Sequence, residues 1–159
     1  MIGRKTVLAT GVFDLLHLGH IRFLRESKRR GGPGARLVVV IARDRTVYER
    51  KGRMPIIPED HRRAIVASLR VVDKAVLGHE KFSMIGVLNE EKPDIVSIGY
   101  DQKEIKASLQ KLIKNERLKL RIVQIRRFGG GQLSSSSQLK KRIAKKMATW
   151  TFGENEPEL

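Results

Sequence analysis

A chain of 159 residues, 40% of them hydrophobic, suits one domain with its own core. Its longest apolar runs fall far short of the about 20 residues that span a bilayer, so no membrane segment is expected. Zero cysteines exclude disulfides and zinc–thiolate sites. With an N-terminus that runs straight into a first strand, leaving no room for a signal peptide, they fit a cytoplasmic protein. The net charge of +16 predicts attraction to anions, whether small phosphorylated molecules or nucleic acid. Only 5% of residues are aromatic and no helix-turn-helix, zinc-finger or RNP pattern occurs, which argues against a nucleic-acid module. Most of the late lysines read as solvated helix faces.

In chain order, Thr6–Thr10 is a short apolar strand, followed by the turn Gly11-Val12-Phe13-Asp14 and then His17-Leu18-Gly19-His20. From Ile21 to Lys28 apolar residues recur at helical spacing. Gly31-Gly32-Pro33-Gly34 stops that helix, and Arg36–Ala42 is a continuous β-branched run typical of a buried parallel strand. Residues 43–57 read as an irregular polar loop with Lys51-Gly52-Arg53 at its centre. Pro58-Glu59-Asp60 opens a helix to about Arg70.

Lys74–Leu77 is the third strand, Phe82–Glu91 a helix, and Asp94–Ile98 the fourth strand, ending in Gly99-Tyr100-Asp101-Gln102. A basic helix, Lys103–Asn115, leads to the fifth strand, Lys119–Ile125. Gly129-Gly130-Gly131 is a joint, Ser134–Ser137 a run of hydroxyls, and Gln138–Met147 the last helix. Residues 1–147 are taken as the domain and 148–159 as a poorly ordered acidic tail. Strands alternating with helices predict a Rossmann-like α/β fold: a doubly wound, parallel five-stranded sheet. Ligands of such sheets sit beyond the carboxyl ends of the strands, which would bring residues 11–20, 43–53 and 99–102 to one crevice.

The glycine-bearing turn places two histidines in the first turn of a helix. Its unpaired N–H groups and partial positive charge suit a phosphate, and the imidazoles add donors. One histidine there is usually a capping or surface residue; two, flanking a glycine after a strand, point to a nucleoside triphosphate. His61 and His79 lack such a setting and read as structural or surface groups. Lys51, Arg53, Arg62 and Arg70 are candidate phosphate ligands, against surface ion pairing or, for Arg70, a helix C-terminal cation. Asp101 could bind the nucleotide or only cap the next helix. Ser135 and Ser136 could present hydroxyls and N–H groups to phosphate, or simply cap a helix. No carboxylate cluster marks a metal cage, so a divalent cation such as magnesium would arrive with the triphosphate.

Gly11, Phe13, Asp14, His17, Gly19 and His20 resemble the signature of the cytidylyltransferase-like nucleotidyltransferases, with Val12 where that family usually has threonine. The resemblance covers about Lys5 to Lys146. It implies catalytic roles for His17 and His20, and a nucleotide site at Val12, Phe13, His17, Leu18, Gly19, His20, Asp101, Ser135 and Ser136. For Lys51, Arg53, Arg62 and Arg70 it implies acceptor or phosphate binding. Residues 40–44, 51–59, 92–95 and 99–102 are most similar to archaeal FAD synthases, although cysteines common near the C-terminus of that group are absent. The resemblance thus implies ATP and FMN as substrates and allows a homodimer. CTP with glycerol 3-phosphate, and a non-catalytic nucleic-acid binder, stay open as alternatives.

Overall fold

The computed structural model describes residues 3–126 and 135–150. Five parallel strands form one sheet: β1 (Thr6–Gly11), β2 (Arg36–Ile41), β3 (Lys74–Leu77), β4 (Ile95–Ile98) and β5 (Arg121–Gln124). They lie in the order β3-β2-β1-β4-β5, so the chain reverses direction across the sheet between β1 and β4. Helices α1 (Leu18–Arg30), α2 (Asp44–Lys51), α3 (Glu59–Ala67), α4 (Met84–Glu91), α5 (Lys103–Asn115) and α6 (Ser136–Thr149) complete the described chain. Among the described residues no helix is long and apolar enough to cross a membrane.

The two-residue period of the strands divides the core. Val7 and Ala9 of β1, with Leu37, Val39 and Ile41 of β2, pack with Leu24 of α1 and Val66 of α3. Leu8, Val38 and Val40 face the other way, against Val87 and Leu88 of α4 and Leu109 of α5. Helices therefore cover both faces of β1 and β2, which is why these strands read as unbroken apolar runs. The two layers give the doubly wound α/β fold expected from the alternation of patterns.

Several boundaries differ from the sequence reading. Residues 44–51, expected as loop, form α2: Asp44 occupies its first turn, Arg50 and Lys51 its last, and Gly52 ends it at φ +64°. Only Thr46 and Val47 of α2 are buried, so the apolar stripe that reveals a helix is too thin to see. Helix α3 stops at Ala67, where Ser68 Oγ donates to the carbonyl of Ile65 and turns carry the chain to β3. Helix α4 starts two residues later than expected because Ser83 caps it, accepting from Gly86 N at 3.1 Å. Helix α6 runs to Thr149, so residues 148 and 149 of the expected tail are helical. The Gly129–Gly131 joint, Ser134 and residues 151–159 lie outside the described residues.

Candidate active site

A cleft of about 800 Å³ opens beyond the carboxyl ends of the strands. Residues 11–20, 43–53 and 99–102 all contribute to its lining, joined by residues after β3 and by the start of α6. Its floor is the turn between β1 and α1. There Phe13 and Leu15 adopt left-handed backbone, φ 54° and 50°, a cost of order 1–3 kcal/mol each that the surrounding packing must offset. The Phe13 ring, 3% exposed, folds back over Gly11, where a Cβ would stand 2.7 Å from it. That close approach explains the glycine. The same ring lies against His20, centroids 5.1 Å apart, and so sets the height of the imidazole above the sheet.

Asp14 ties the surroundings of the turn together. Its Oδ1 accepts from Ile56 N at 3.1 Å and Ile57 N at 3.0 Å, and its Oδ2 meets Lys140 Nζ at 2.8 Å. Ser136 Oγ donates to the carbonyl of the same residue. Burial pushes the carboxyl of Asp14 up, but Lys140 and the two backbone N–H groups outweigh it and hold the pKa below the ordinary value. One buried carboxylate thus fastens both the 52–57 segment and α6 to the signature turn.

His17 is the N-cap of α1, its Nδ1 accepting from His20 N at 3.4 Å. In the neutral ring this leaves the proton on Nε2, a donor for the cleft. The two imidazoles stack with centroids 3.7 Å apart. Burial lowers the pKa of His17, and burial, His17 and Lys51 together lower that of His20 to about 3 against the opposing pull of Asp14. Both rings are neutral donors at pH 7. His20 Nδ1 and Thr10 Oγ1 are buried with no hydrogen-bond partner among the described residues, polar capacity that an oxygen-rich ligand would use.

Burial of His20 makes stability depend on pH. The unfolded chain takes up a proton on His20 near its ordinary 6.5, whereas the folded chain refuses it until about 3. Between those values the unfolded state binds more protons, so stability falls as the pH drops from 6.5 towards 3. Thermal unfolding of the ligand-free chain should show this decline, and His20→Ala should make it shallower across that window. An unchanged pH slope in the variant would contradict the assigned burial.

Of the other candidates, Val12, Phe13, Gly19, Lys51, Arg53, Asp101, Ser135 and Ser136 all line the cleft. Lys51 ends α2 rather than lying in a loop, and neither it nor Arg53 has a carboxylate partner among the described residues. Asp101 does not cap α5; the N-cap is Gln102, whose Oε1 accepts from Gly99 N at 2.8 Å. Ser135 does cap α6, accepting from Gln138 N at 3.3 Å. The first residues of α6 thus stand at the cleft lining.

Three candidates are placed elsewhere. The side chain of Leu18 is exposed and outside the lining; only its backbone N–H belongs to the N-terminal turn of α1. Arg62 is fully buried and does not reach the cleft. Its guanidinium donates to the carbonyls of Ile57, Val12 and Ala42 and pairs with Asp44 at 2.6 Å, so every direction is filled by protein. Arg70 is exposed in the turn before β3, at the amino-terminal edge of the sheet, whereas the cleft lies beyond the carboxyl edge. A phosphate in the cleft meets neither arginine. His61 is exposed on α3, and His79 sits at the cleft wall with Nε2 3.1 Å from Glu90.

Arg50, Met54, Phe82 and Lys140 also line the cleft, and of these only Met54 falls within a stretch the sequence marks, residues 51–59. Arg50 and Met54 flank Lys51 within three residues, a signal within reach once α2 is recognised. The pairing of Lys140 with Asp14 spans 126 positions and has no local signature. Among the described residues no group of three His, Asp or Glu side chains could hold a metal ion.

Residues 8–142 match the cytidylyltransferase-like family. A protein of Thermoplasma volcanium named FAD synthase is 50% identical over 137 residues, 86% of this chain and 92% of that one. Another FAD synthase, from Methanobrevibacter smithii, is 43% identical over 141 residues, 89% of this chain and 92% of its own. A crystal structure described as the lipopolysaccharide core biosynthesis protein of Thermoplasma volcanium superposes with a TM-score of 0.72 at 47% identity. It covers 80% of this chain and all of that one. A protein of Archaeoglobus fulgidus shares the fold alone, with a TM-score of 0.60 at 18% identity, over 76% of this chain and 88% of that one. The signature turn, the sheet order and these matches agree: the chain belongs to the cytidylyltransferase-like family.

Proposed function

We infer that this chain is a nucleotidyltransferase that moves AMP from ATP to FMN, giving FAD and pyrophosphate. The observation that carries the reading is the cleft itself. Two helix N-termini and a neutral histidine pair line a cleft at the point where the sheet order reverses, and Lys51 and Arg53, without a carboxylate partner among the described residues, line its β2–β3 side. The relatives named FAD synthase, 43% and 50% identical across most of the chain, supply the substrate pair.

On this reading an oxygen of the FMN phosphate forms a bond to the α-phosphorus of ATP as the bond to the β-phosphate bridging oxygen breaks, and pyrophosphate leaves with those electrons. The acceptor phosphate is already an anion, so no general base is required. Such transfers depend on alignment and charge stabilisation. The N–H groups of Leu18 and Gly19 have no carbonyl four residues back within α1 and, with His17 and His20, would face the triphosphate. Val12 and Phe13 shape the turn that aims them. Asp101 would hold the ribose or base, Ser135 and Ser136 the phosphates from α6, and Lys51 and Arg53 the FMN phosphate. Magnesium would enter on the triphosphate, since the described residues hold no carboxylate cluster to bind it beforehand. A cytoplasmic place and a homodimer belong to the same reading.

The deciding assay offers ATP or CTP against FMN or glycerol 3-phosphate and follows pyrophosphate. FAD formed from ATP and FMN is the expected result; turnover with only CTP and glycerol 3-phosphate overturns the named substrates. Lys51→Ala should raise the KM for FMN more than that for ATP, because removing one charged contact to phosphate typically costs about 1.5–3 kcal/mol. Equal KM values for variant and wild type would reduce Lys51 to a surface charge.

A further inference from the structure

We propose that Phe82, with Arg50 stacked on it, is the platform on which the isoalloxazine ring of the acceptor lies, and the element that selects a flavin over a small phosphorylated alcohol. The proposal rests on the reading of the chain as an FMN adenylyltransferase.

Phe82 lies between β3 and α4, just before the cap Ser83, and 54% of it is exposed. It belongs to neither hydrophobic cluster of the core. Of the exposed large hydrophobic side chains among the described residues, only Met54, Phe82 and Tyr100 line the cleft, and Met54 and Phe82 stand on its β2–β3 side. A phenyl ring left in water inside a ligand cleft lacks the burial that normally justifies it. A planar ligand would cover the part of the ring that the fold leaves exposed.

The ring is also held. The Arg50 guanidinium carbon sits 4.4 Å from the Phe82 centroid, which joins the end of α2 to the segment after β3. Arg50 has no carboxylate partner among the described residues, so nothing draws its guanidinium away from the ring. With Arg50 over one face of the ring, the exposed remainder of Phe82 offers an aromatic surface that suits a large, flat heterocycle better than it suits a three-carbon alcohol.

Position along the chain points the same way. Lys51, the cation assigned to the acceptor phosphate, follows Arg50 directly on the same helix. Consecutive helical residues point about 100° apart. The end of α2 therefore offers a ring contact and a phosphate contact in diverging directions, as a molecule with a flavin at one end and a phosphate at the other requires. On the same reading the ribose or base of ATP would lie elsewhere, on the β4 side near Asp101, which also lines the cleft.

The test uses the full chain with Phe82→Ala and Phe82→Trp. An aromatic stacking platform replaced by alanine typically weakens binding by about 1–3 kcal/mol, so the FMN KM should rise about 5- to 150-fold in Phe82→Ala. The ATP KM should stay as in wild type, and Phe82→Trp should restore FMN use. Riboflavin carries the ring without the phosphate; it should compete with FMN in wild type and in Lys51→Ala, and cease to compete in Phe82→Ala. Flavin fluorescence polarisation should rise on binding to wild type and rise far less with Phe82→Ala at the same concentration. A rise in the ATP KM alone, or FMN and riboflavin binding unchanged in Phe82→Ala, overturns the platform while FAD formation by wild type keeps the adenylyltransferase reading. Absence of FAD from wild type overturns both.

Discussion

Replacing His20 with alanine is expected to slow FAD formation about 10²–10³-fold, the usual cost of removing one positioned donor to charge that develops in the transition state. The effect should fall on kcat more than on KM. The donor would matter most when the bond between the α- and β-phosphates breaks, whereas on the proposed reading the N-terminal turn of α1 and α6 would also hold ground-state ATP. The ring is neutral at pH 7, held so chiefly by burial and then by His17 and Lys51, with a pKa of about 3 in the free chain. It therefore works as a hydrogen-bond donor without needing a charge, and the loss should be similar at pH 7 and pH 8. Pyrophosphate release by a variant whose circular dichroism matches wild type measures it. A near-normal rate would remove His20 from the chemistry.

The second large effect is on stability. Arg62→Ala strips the pairing from Asp44 and leaves the carbonyls of Val12, Ala42 and Ile57 without their donor. Removing one partner of a buried ion pair costs about 3–5 kcal/mol. In a chain of this size each kcal/mol moves the melting temperature about 2–4 °C, so a fall of about 6–20 °C is expected. Arg62→Lys should recover only part of it, because one ammonium cannot reproduce a planar fork aimed at several acceptors. Thermal unfolding decides. A variant with an unchanged melting temperature and a raised KM for FMN would return Arg62 to phosphate binding.

Arg62 also shows what sequence could and could not disclose. Its helix was legible from Pro58, Glu59 and Asp60, but whether the side chain turns to the cleft or to the core depends on Asp44, Ala42 and Val12, 18, 20 and 50 residues away in the chain. Arg70 misleads for a related reason. The basic residue before Val71-Val72-Asp73 matches a family pattern, yet α3 runs away from the cleft and delivers it to the other edge of the sheet. The histidine turn was legible because strand, glycine and helix start are consecutive, and because β1 and β2 are buried on both faces and so read as apolar throughout. Helix α2 was hidden by its scant burial. Asp14 stands in the signature, but its hold on Lys140 and on Ile56 and Ile57 is a contact across the fold that no spacing predicts.

Since every strand runs the same way, the sheet has a working rim and an idle one. At the idle rim the chain turns through Gly31–Gly34, Lys92–Asp94 and the stretch after Asn115. Asp73 accepts from Leu37 N at 2.7 Å and pairs with Lys28 there, bonds that close the fold outside the cleft lining. Gly32 and Gly34, at φ +86° and +70°, have open space where a Cβ would stand. This is where foreign sequence can be spliced in: a reporter peptide or tether grafted between Gly32 and Gly34 would hang from the face farthest from the reacting phosphates, so that the enzyme could be immobilised or fused to a partner with its mouth unobstructed.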